Sequence, residues 1–323
     1  MPLLAASTYR SPWWLPGGHG QTIGPALWRG GPVLTPEAET LELADGDFLN
    51  LQWRRRGNER LVIFCHGLES HARASYIREV GGVLAEAGWD VLAWSYRGCG
   101  EELNRLPQFY HSGATPDLAA VVAHALATHP ARQIDLVGFS LGGNLVLKYL
   151  GEQGGQVHPR LHRAVTFSVP CDLACSAEAL DTAFNREVYM GRFIKTLREK
   201  IQRKHELFPE DSRLLPAGVE KIRTFRQFDD RYTAPLHGFR DAADYWARSS
   251  SRPFLKDIRL PALLVNALND PFLGPRCYPR QEAEESRFFH LEIPSAGGHV
   301  GFQSPGGKSW MGTRVKRFLA EGE

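Results

Sequence analysis

Short apolar runs that alternate with helical patterns constrain the fold of this chain most strongly. Each run is about five residues long and mostly apolar on both faces, as a parallel sheet covered by helices on both sides requires. Amphipathic patterns, with apolar residues spaced three and four apart, lie between the runs. This order predicts an α/β fold with a doubly wound, mostly parallel central sheet and helices on both faces. The runs are LVIFC (61–65), DVLAW (90–94), IDLVG (134–138), AVTFS (164–168), ALLVN (262–266) and FFHLEI (288–293).

Two segments depart from this alternation. ETLELA and LNLQWRR lie on either side of Asp45-Gly46-Asp47 and predict an antiparallel hairpin before the parallel strands. Between AVTFS and ALLVN, the chain is far longer than a strand–helix–strand crossover needs, and it carries helical patterns of its own. We therefore interpret residues 171–258 as a helical cap inserted into a single domain that spans residues 1–323.

Composition excludes several classes of protein. Of the 323 residues, 43% are hydrophobic and 23% are charged, which is ordinary for a globular protein and excludes disordered and collagen-like chains. A formal net charge of +2 gives no argument for a nucleic-acid partner. No run of apolar residues is long enough to predict a membrane-spanning helix. Five scattered cysteines favour a reducing cytoplasm, and the C-x3-C pair at Cys171 and Cys175 has no matching pair at zinc-site spacing.

The sharpest chemical signal is Gly138-Phe139-Ser140-Leu141-Gly142. It follows the IDLV strand and precedes the helical run NLVLKYL, which is the strand–turn–helix context in which a G-x-S-x-G serine acts as a nucleophile. Glycines lack a Cβ, so neighbouring backbone can pack against the turn. The helix that follows directs its free N–H groups toward the serine. We interpret Ser140 as a nucleophile; the simpler alternative is a glycine-rich turn with a capping serine.

A serine nucleophile needs a histidine base, and the base needs a carboxylate. In this architecture the chain order is serine, acid, histidine. Asp270 is the first carboxylate beyond the ALLVN run, and His299 follows the last strand in the glycine-rich loop PSAGGHVGF. His290, the other histidine after Asp270, sits inside a strand pattern. We predict that Asp270 and His299 complete a triad; the alternatives are an ordinary Asn-Asp-Pro turn and a histidine in a surface loop.

Acyl-transfer chemistry at Ser140 also needs donors for the oxygen of the tetrahedral intermediate. The backbone N–H of Leu141, the residue after the serine, is one predicted donor. The second should come from the loop after the LVIFC strand, where Gly67 allows a turn and the N–H of Leu68 is the candidate. His66, in the same loop, is interpreted as a structural residue.

Four further stretches, together with these residues, cover nearly the whole chain. They make the chain resemble the α/β-hydrolase superfamily, and most closely its YheT-like branch of lipid esterases. This resemblance implies serine-dependent hydrolysis of carboxylic esters, with short-to-medium acyl chains or monoacylglycerols as substrates. It implies no metal and no organic cofactor. The stretches are WLP with GHGQT near the start, YRG at 96–98, YHSG at 110–113 with Thr115 and Asp117, and FD at 228–229 with YTAP and GF downstream.

Several alternatives stay open at this point. Acyl transfer to an alcohol, or thioester hydrolysis, would use the same triad, whereas a binding protein on this fold would be expected to lack one of its members. The basic segment 192–205 predicts a helix with a solvated basic face, or less favourably one that rests on anionic membranes. Trp13, Trp14 and Trp28 are expected to pack over hydrophobic surface, with an interfacial belt as the alternative. The expected partner is a small-molecule ester.

Overall fold

All the predicted strands appear in one sheet. The computed structural model describes residues 3–4, 6–31, 37–307 and 309–321. The strand ends differ from the predicted ones by a few residues, and the prediction of an α/β fold is confirmed. The strands are β1 Glu37–Glu42, β2 Phe48–Arg54, β3 Arg60–Cys65, β4 Trp89–Ser95, β5 Gln133–Phe139, β6 Leu161–Phe167, β7 Ala262–Val265 and β8 Phe289–Glu292.

The strand order is β1-β2-β4-β3-β5-β6-β7-β8. β1 pairs antiparallel with β2 in the predicted hairpin, and β2 pairs antiparallel with β4. The remaining neighbours, from β4 to β8, are all parallel. Because parallel strands point the same way, the carboxyl ends of β3, β5, β7 and β8 meet at one edge of the sheet. The loops that leave this edge carry every predicted site residue, as expected for an open α/β sheet.

Helices connect the strands and cover both faces. Among the described residues, no helix combines the length and the apolarity that crossing a bilayer requires. The α-helices are α1 Gly17–Trp28, α2 Ser75–Glu86, α3 Thr115–Thr128, α4 Leu141–Gln153, α5 Leu173–Leu180, α6 Ala183–Asn185, α7 Gly191–Leu207, α8 Phe225–Phe228, α9 Ala234–His237, α10 Ala242–Ser249, α11 Arg280–Glu285 and α12 Trp310–Glu321.

The sheet separates two hydrophobic cores. Alternate residues of β3 face opposite sides: Ile63 packs with α3 and α4, whereas Val62 and Phe64 pack with α2 and α12. Both sides of the strand are buried, since Val62, Ile63 and Phe64 have no exposed surface. This double burial explains why the strands read as continuous apolar runs and not as alternating ones.

The chain between β6 and β7 contains the helices α5 to α10, and its residues 171–258 are referred to below as the insertion. α7 buries Ile194, Leu197 and Ile201 against the core, as its amphipathic pattern predicts. The prediction of a solvated basic face was wrong for two of its lysines. Lys200 is 7% exposed and Lys204 is 0% exposed, because both reach polar groups of the sheet domain.

Candidate active site

Ser140 occupies the sharp turn between β5 and α4. β5 ends at Phe139 and α4 begins at Leu141, so Ser140 alone connects them. Its backbone has φ 53° and ψ −121°, a conformation that costs a non-glycine residue on the order of 1–3 kcal/mol. A Cβ on Gly142 would lie 2.3 Å from the carbonyl oxygen of Cys65, so only glycine fits where β3 passes the turn. The strained turn places the serine at the carboxyl edge of the sheet.

Asp270 and His299 reach Ser140 from the loops that follow β7 and β8. The Nε2 of His299 lies 2.9 Å from the Oγ of Ser140. The Nδ1 of His299 lies 2.9 Å from Oδ2 and 3.1 Å from Oδ1 of Asp270. The Asp270 side chain is fully buried, and that of His299 is 10% exposed. The structure therefore brings the three predicted residues into one chain of hydrogen bonds, in which a neutral imidazole can accept from the serine and donate to the carboxylate.

Phe272 orients both the acid and the base. Its backbone N–H donates to Oδ1 of Asp270 at 2.9 Å. Its ring stacks on the imidazole of His299, with 4.0 Å between ring centroids and 21° between planes. Since the backbone bond fixes the carboxylate and the stacked ring fixes the imidazole, the geometry of the pair is set before any substrate binds.

α1, near the start of the chain, holds the loop that carries His299. The hydroxyl of Thr22 accepts the backbone N–H of His299 at 2.9 Å. The side-chain carbonyl of Gln21, which is buried, accepts the N–H of Gly297 at 2.7 Å and the side-chain amide of Asn269 at 3.0 Å. The loops on both sides of the histidine–aspartate pair are thereby tied to one helix.

Glycines allow α1 to lie directly on these loops. A Cβ on Gly298, where φ is +60°, would lie 2.7 Å from the carbonyl carbon of Gln21. A Cβ on Gly18 would lie 1.8 Å from the carbonyl oxygen of Asn269, the neighbour of Asp270. The GHGQT stretch, to which sequence reasoning gave no role of its own, thus supplies the clamp that holds the acid and base loops.

His66 has a structural place, as the sequence predicts. Its Nε2 accepts the N–H of Tyr96 at 3.2 Å, and its Nδ1 donates to the carbonyl oxygen of Gly67 at 2.7 Å. The ring also stacks on Tyr96, with 3.7 Å between centroids. Burial lowers the pKa of His66 to about 3, so the ring is neutral near neutral pH. Both nitrogens are engaged in holding the loop, which leaves none to act as a base.

Leu68 and Leu141 carry the backbone N–H groups that the sequence predicts as donors. Both residues line the cavity at Ser140, and neither N–H donates to another group of the described chain. A Cβ on Gly67 would lie 3.4 Å from the Cβ of Ser140, so the loop after β3 passes beside the serine. The hydroxyl of Tyr76 accepts the N–H of Gly67 at 3.0 Å and holds the loop there. Two such donors next to a nucleophile can bind the oxygen of a tetrahedral intermediate.

A cavity of about 690 Å³ opens at Ser140 and His299. Its volume lies within the range of about 300–1,000 Å³ that is usual for small-molecule sites. In the described ranges, no group of three or more His, Cys, Asp or Glu side chains is placed to hold a metal ion. Apolar side chains of the insertion form much of the wall, among them Leu173, Leu180, Tyr189, Phe193, Leu197 and Phe225.

Comparison with known proteins assigns the family. Residues 60–302, three-quarters of the chain, match the family described as the alpha/beta hydrolase fold. The chain belongs to the α/β hydrolase fold family. Within this family, the chain is 32% identical to the putative esterase YheT of Escherichia coli K12, over 93% of the chain and 89% of that protein. This α/β hydrolase therefore falls in the YheT-like branch.

Two further comparisons extend this α/β hydrolase's relationships. It is 26% identical to the phospholipase ABHD3 of Homo sapiens, over 98% of the chain and 79% of that protein. Among solved structures, the esterase Pf2001 of Pyrococcus furiosus superposes with a TM-score of 0.58 at 19% identity, covering 89% of this chain and 92% of that one. The structural likeness confirms the fold, and the sequence relatives place it among proteins named as esterases and phospholipases.

Proposed function

We propose that this protein is a serine hydrolase that cleaves carboxylic esters through an acyl-enzyme on Ser140. One observation carries the proposal: the hydrogen bonds from Ser140 through His299 to the buried Asp270 are 2.9 Å at both steps. The relatives named as an esterase and a phospholipase support ester hydrolysis as the reaction class. In this proposal Ser140 is the nucleophile, His299 is the general base, and Asp270 orients and stabilises the imidazole.

In the first half-reaction, Ser140 Oγ attacks the ester carbonyl carbon while the Nε2 of His299 takes the hydroxyl proton. The carbonyl oxygen becomes an oxyanion and binds the backbone N–H groups of Leu68 and Leu141. Asp270 keeps the other imidazole proton on Nδ1 and stabilises the imidazolium. When the tetrahedral intermediate collapses, the C–O bond to the alcohol breaks and His299 gives its proton to the departing oxygen.

In the second half-reaction, water replaces the alcohol. His299 takes a proton from the water as its oxygen attacks the acyl carbon, and the same two N–H groups hold the new oxyanion. Collapse breaks the bond to Ser140 Oγ, which recovers its proton from His299, and the carboxylic acid leaves. Acyl transfer would follow the same path with an alcohol in place of water, so product analysis with added alcohol separates the two reactions.

The cavity supports short-to-medium acyl esters, including monoacylglycerols, as the substrate class. We propose that residues 171–258 act as a cap within a single domain, because α5 and α7 supply cavity walls to a site whose reacting groups come from sheet loops. Leu173, Leu180 and Phe193 would surround the acyl chain. An apolar chain in such a wall gains favourable burial with each added methylene until the cavity is full.

A turnover series over p-nitrophenyl esters from two to sixteen carbons tests this assignment. We expect kcat/KM to rise with chain length, pass through a maximum and then fall. Ala177→Trp, which fills cavity space, should cut kcat/KM for the longer esters by about 10-fold relative to the shorter ones. Glu178→Trp, next to it on α5 but exposed and outside the cavity wall, is the matched control and should leave the profile unchanged. If both variants had the same dependence of kcat/KM on chain length, the cavity would be excluded as the site that binds the acyl chain.

We also propose that the protein meets ester-bearing lipid surfaces with the rim of this cavity. Leu27 lines the cavity yet is 73% exposed, and the adjacent Trp28 is 57% exposed. Trp13, at 88% exposed, contradicts the expectation that the tryptophans pack over hydrophobic surface. Exposed tryptophan and leucine beside an apolar site are the side chains that enter a membrane interface.

Co-sedimentation with vesicles of phosphatidylcholine and phosphatidylglycerol tests this contact. The double variant Leu27→Ser/Trp28→Ser should bind less than the parent protein by several-fold, because it removes apolar area that the interface would bury. Leu207→Ser removes a comparably exposed leucine outside the cavity wall and should bind as the parent does. Equal binding by all three proteins would remove the proposed contact.

A further inference from the structure

A buried ion pair connects the insertion to the loop that carries the Leu68 donor. The ammonium of Lys200, on α7, lies 2.6 Å from Oε1 of Glu69. The side chains are only 7% and 8% exposed, so the pair is removed from water on both sides. Glu69 directly follows Leu68 in the chain. A charged side chain of the insertion therefore reaches the residue beside the proposed oxyanion donor.

Glu69 closes a small ring of hydrogen bonds with Tyr110. The backbone N–H of Glu69 donates to the Tyr110 hydroxyl at 2.8 Å, and that hydroxyl donates to Oε1 of Glu69 at 2.8 Å. Lys200 bonds to the same Oε1, and its ammonium lies 4.7 Å from the centre of the Tyr110 ring. Glu69 has φ 51°, an unfavourable conformation for a side chain with a Cβ, which the ring of bonds maintains.

Lys204, four residues after Lys200 on α7, makes only structural contacts and serves as the comparison. Lys204 is also buried and donates to the carbonyl oxygens of Asn104 at 2.7 Å and of Leu106 at 2.5 Å. These bonds fasten α7 to the sheet domain without contacting the loop at 66–70. The two lysines are four residues apart and both are buried, but of the two only Lys200 reaches the proposed oxyanion loop.

We propose that Lys200 is a positioning residue that holds the oxyanion hole in its active geometry through Glu69. This inference rests on the proposed function, because it assigns the Leu68 N–H to the oxyanion. The Leu68–Glu69 peptide is fixed on its Glu69 side by the φ that the Tyr110 ring maintains. Without the ammonium, the buried carboxylate has no cation and leaves the ring. Glu69 then relaxes to negative φ and the Leu68–Glu69 peptide rotates. This rotation displaces Leu68 and turns the preceding Gly67–Leu68 peptide, whose N–H is the proposed donor, away from Ser140.

The contact between Lys200 and Glu69 thus holds the insertion against the sheet domain and also keeps the oxyanion hole in its active geometry. The esterase is active only while α7 lies against the loop. Loss of one oxyanion donor costs serine hydrolases about 10²–10³ in kcat. The effect should fall on kcat more than on KM, because the donor binds the developing oxyanion more strongly than the ground-state carbonyl.

Kinetics of Lys200→Met and Lys204→Met, with melting temperatures for both, test the proposal. We expect Lys200→Met to lower kcat by about 10²-fold with little change in KM, and Lys204→Met to keep kcat near that of the parent. Lys200→Arg should restore part of the lost kcat, since it returns a cation to Glu69. Tyr110→Phe breaks the same ring of hydrogen bonds, changes no residue of α7 and keeps the aromatic ring beside Lys200. It should lower kcat as well, which keeps the test decisive should Lys200→Met fail to fold.

Equal kcat losses in the two lysine variants, or a normal kcat in Tyr110→Phe, would overturn the positioning role. Either result leaves the proposed function intact as long as Ser140→Ala is inactive. If Ser140→Ala instead turns over esters at the parent rate, the proposed function itself fails, so the two failures are distinguishable.

Discussion

Replacing Ser140 with alanine lowers kcat for an ester substrate by about 10³-fold or more. The variant removes the only atom of the protein that forms a covalent bond with the acyl group in the proposed mechanism. It should fold normally, because alanine and serine meet the same backbone restriction at φ 53°. The oxyanion donors and the cavity stay in place and account for the residual turnover. Steady-state kinetics with a p-nitrophenyl ester measure the loss.

Ser112→Ala is the matched control for this variant. It also removes a hydroxyl from a residue that lines the cavity, and it keeps the backbone bonds of Ser112, whose N–H donates to the Tyr245 hydroxyl and whose carbonyl oxygen accepts from the Asn144 side chain. Turnover by the control should stay of the same order as that of the parent. A Ser140→Ala protein that keeps near-parent kcat would refute the assignment of the nucleophile.

Replacing Asp270 with asparagine lowers kcat by about 10⁴-fold, the effect expected when the histidine takes the wrong tautomer. Oδ1 of Asp270 accepts the N–H of Phe272. The carbonyl oxygen of the introduced asparagine must therefore occupy the Oδ1 position, where it can accept the same N–H. The asparagine NH₂ then faces the Nδ1 of His299 and can only donate to it. The imidazole proton moves to Nε2, where it blocks transfer of the Ser140 proton.

Asp135→Asn is the control for this change. Asp135 is another buried carboxylate with a histidine neighbour, since its Oδ2 accepts the Trp89 indole N–H at 2.9 Å and its Oδ1 lies 3.3 Å from Nδ1 of His162. It lies at the start of β5, at the edge of the sheet away from Ser140. We expect the control to lower the melting temperature without lowering kcat. Equal kcat in Asp270→Asn and the parent would exclude Asp270 as the acid.

The fold was predictable because the parallel strands of its sheet are buried on both faces. A run such as 61–65 is apolar at every position only if helices cover both sides of the sheet, and that requirement identifies a parallel α/β sheet. The ends of the strands could not be predicted as accurately, since they depend on where neighbouring strands stop pairing. β6, for example, begins at Leu161, ahead of the apolar run at 164–168.

The proposed triad was predictable for a related reason. Ser140, Asp270 and His299 each follow a strand of one parallel sheet, so the topology carries them to the same edge however far apart they are in the chain. Local signals also mark each position: glycines around Ser140, a turn at Asp270 and a glycine-rich loop at His299. The structure brings the three side chains into hydrogen-bonding distance, and their catalytic roles are the proposal to be tested.

The residues that orient the site were not predictable. Thr22 lies 277 positions from His299, and Lys200 lies 131 positions from Glu69, so no local pattern reports either contact. A lysine in a basic helical segment ordinarily faces water. Lys200 is buried because a carboxylate from another part of the chain faces it, which only the tertiary structure shows. Gln21 was missed for the same reason, since Gly297 and Asn269 lie 276 and 248 positions from it.

Mass spectrometry of the acid-quenched enzyme tests the central proposal most directly. A slowly deacylated ester, mixed with the protein and quenched within the first turnovers, should leave one acyl group on the peptide that contains Ser140. The same experiment with Asp270→Asn should yield the adduct far more slowly. Continued ester turnover without an adduct, or with the acyl group on a different residue, would contradict the account.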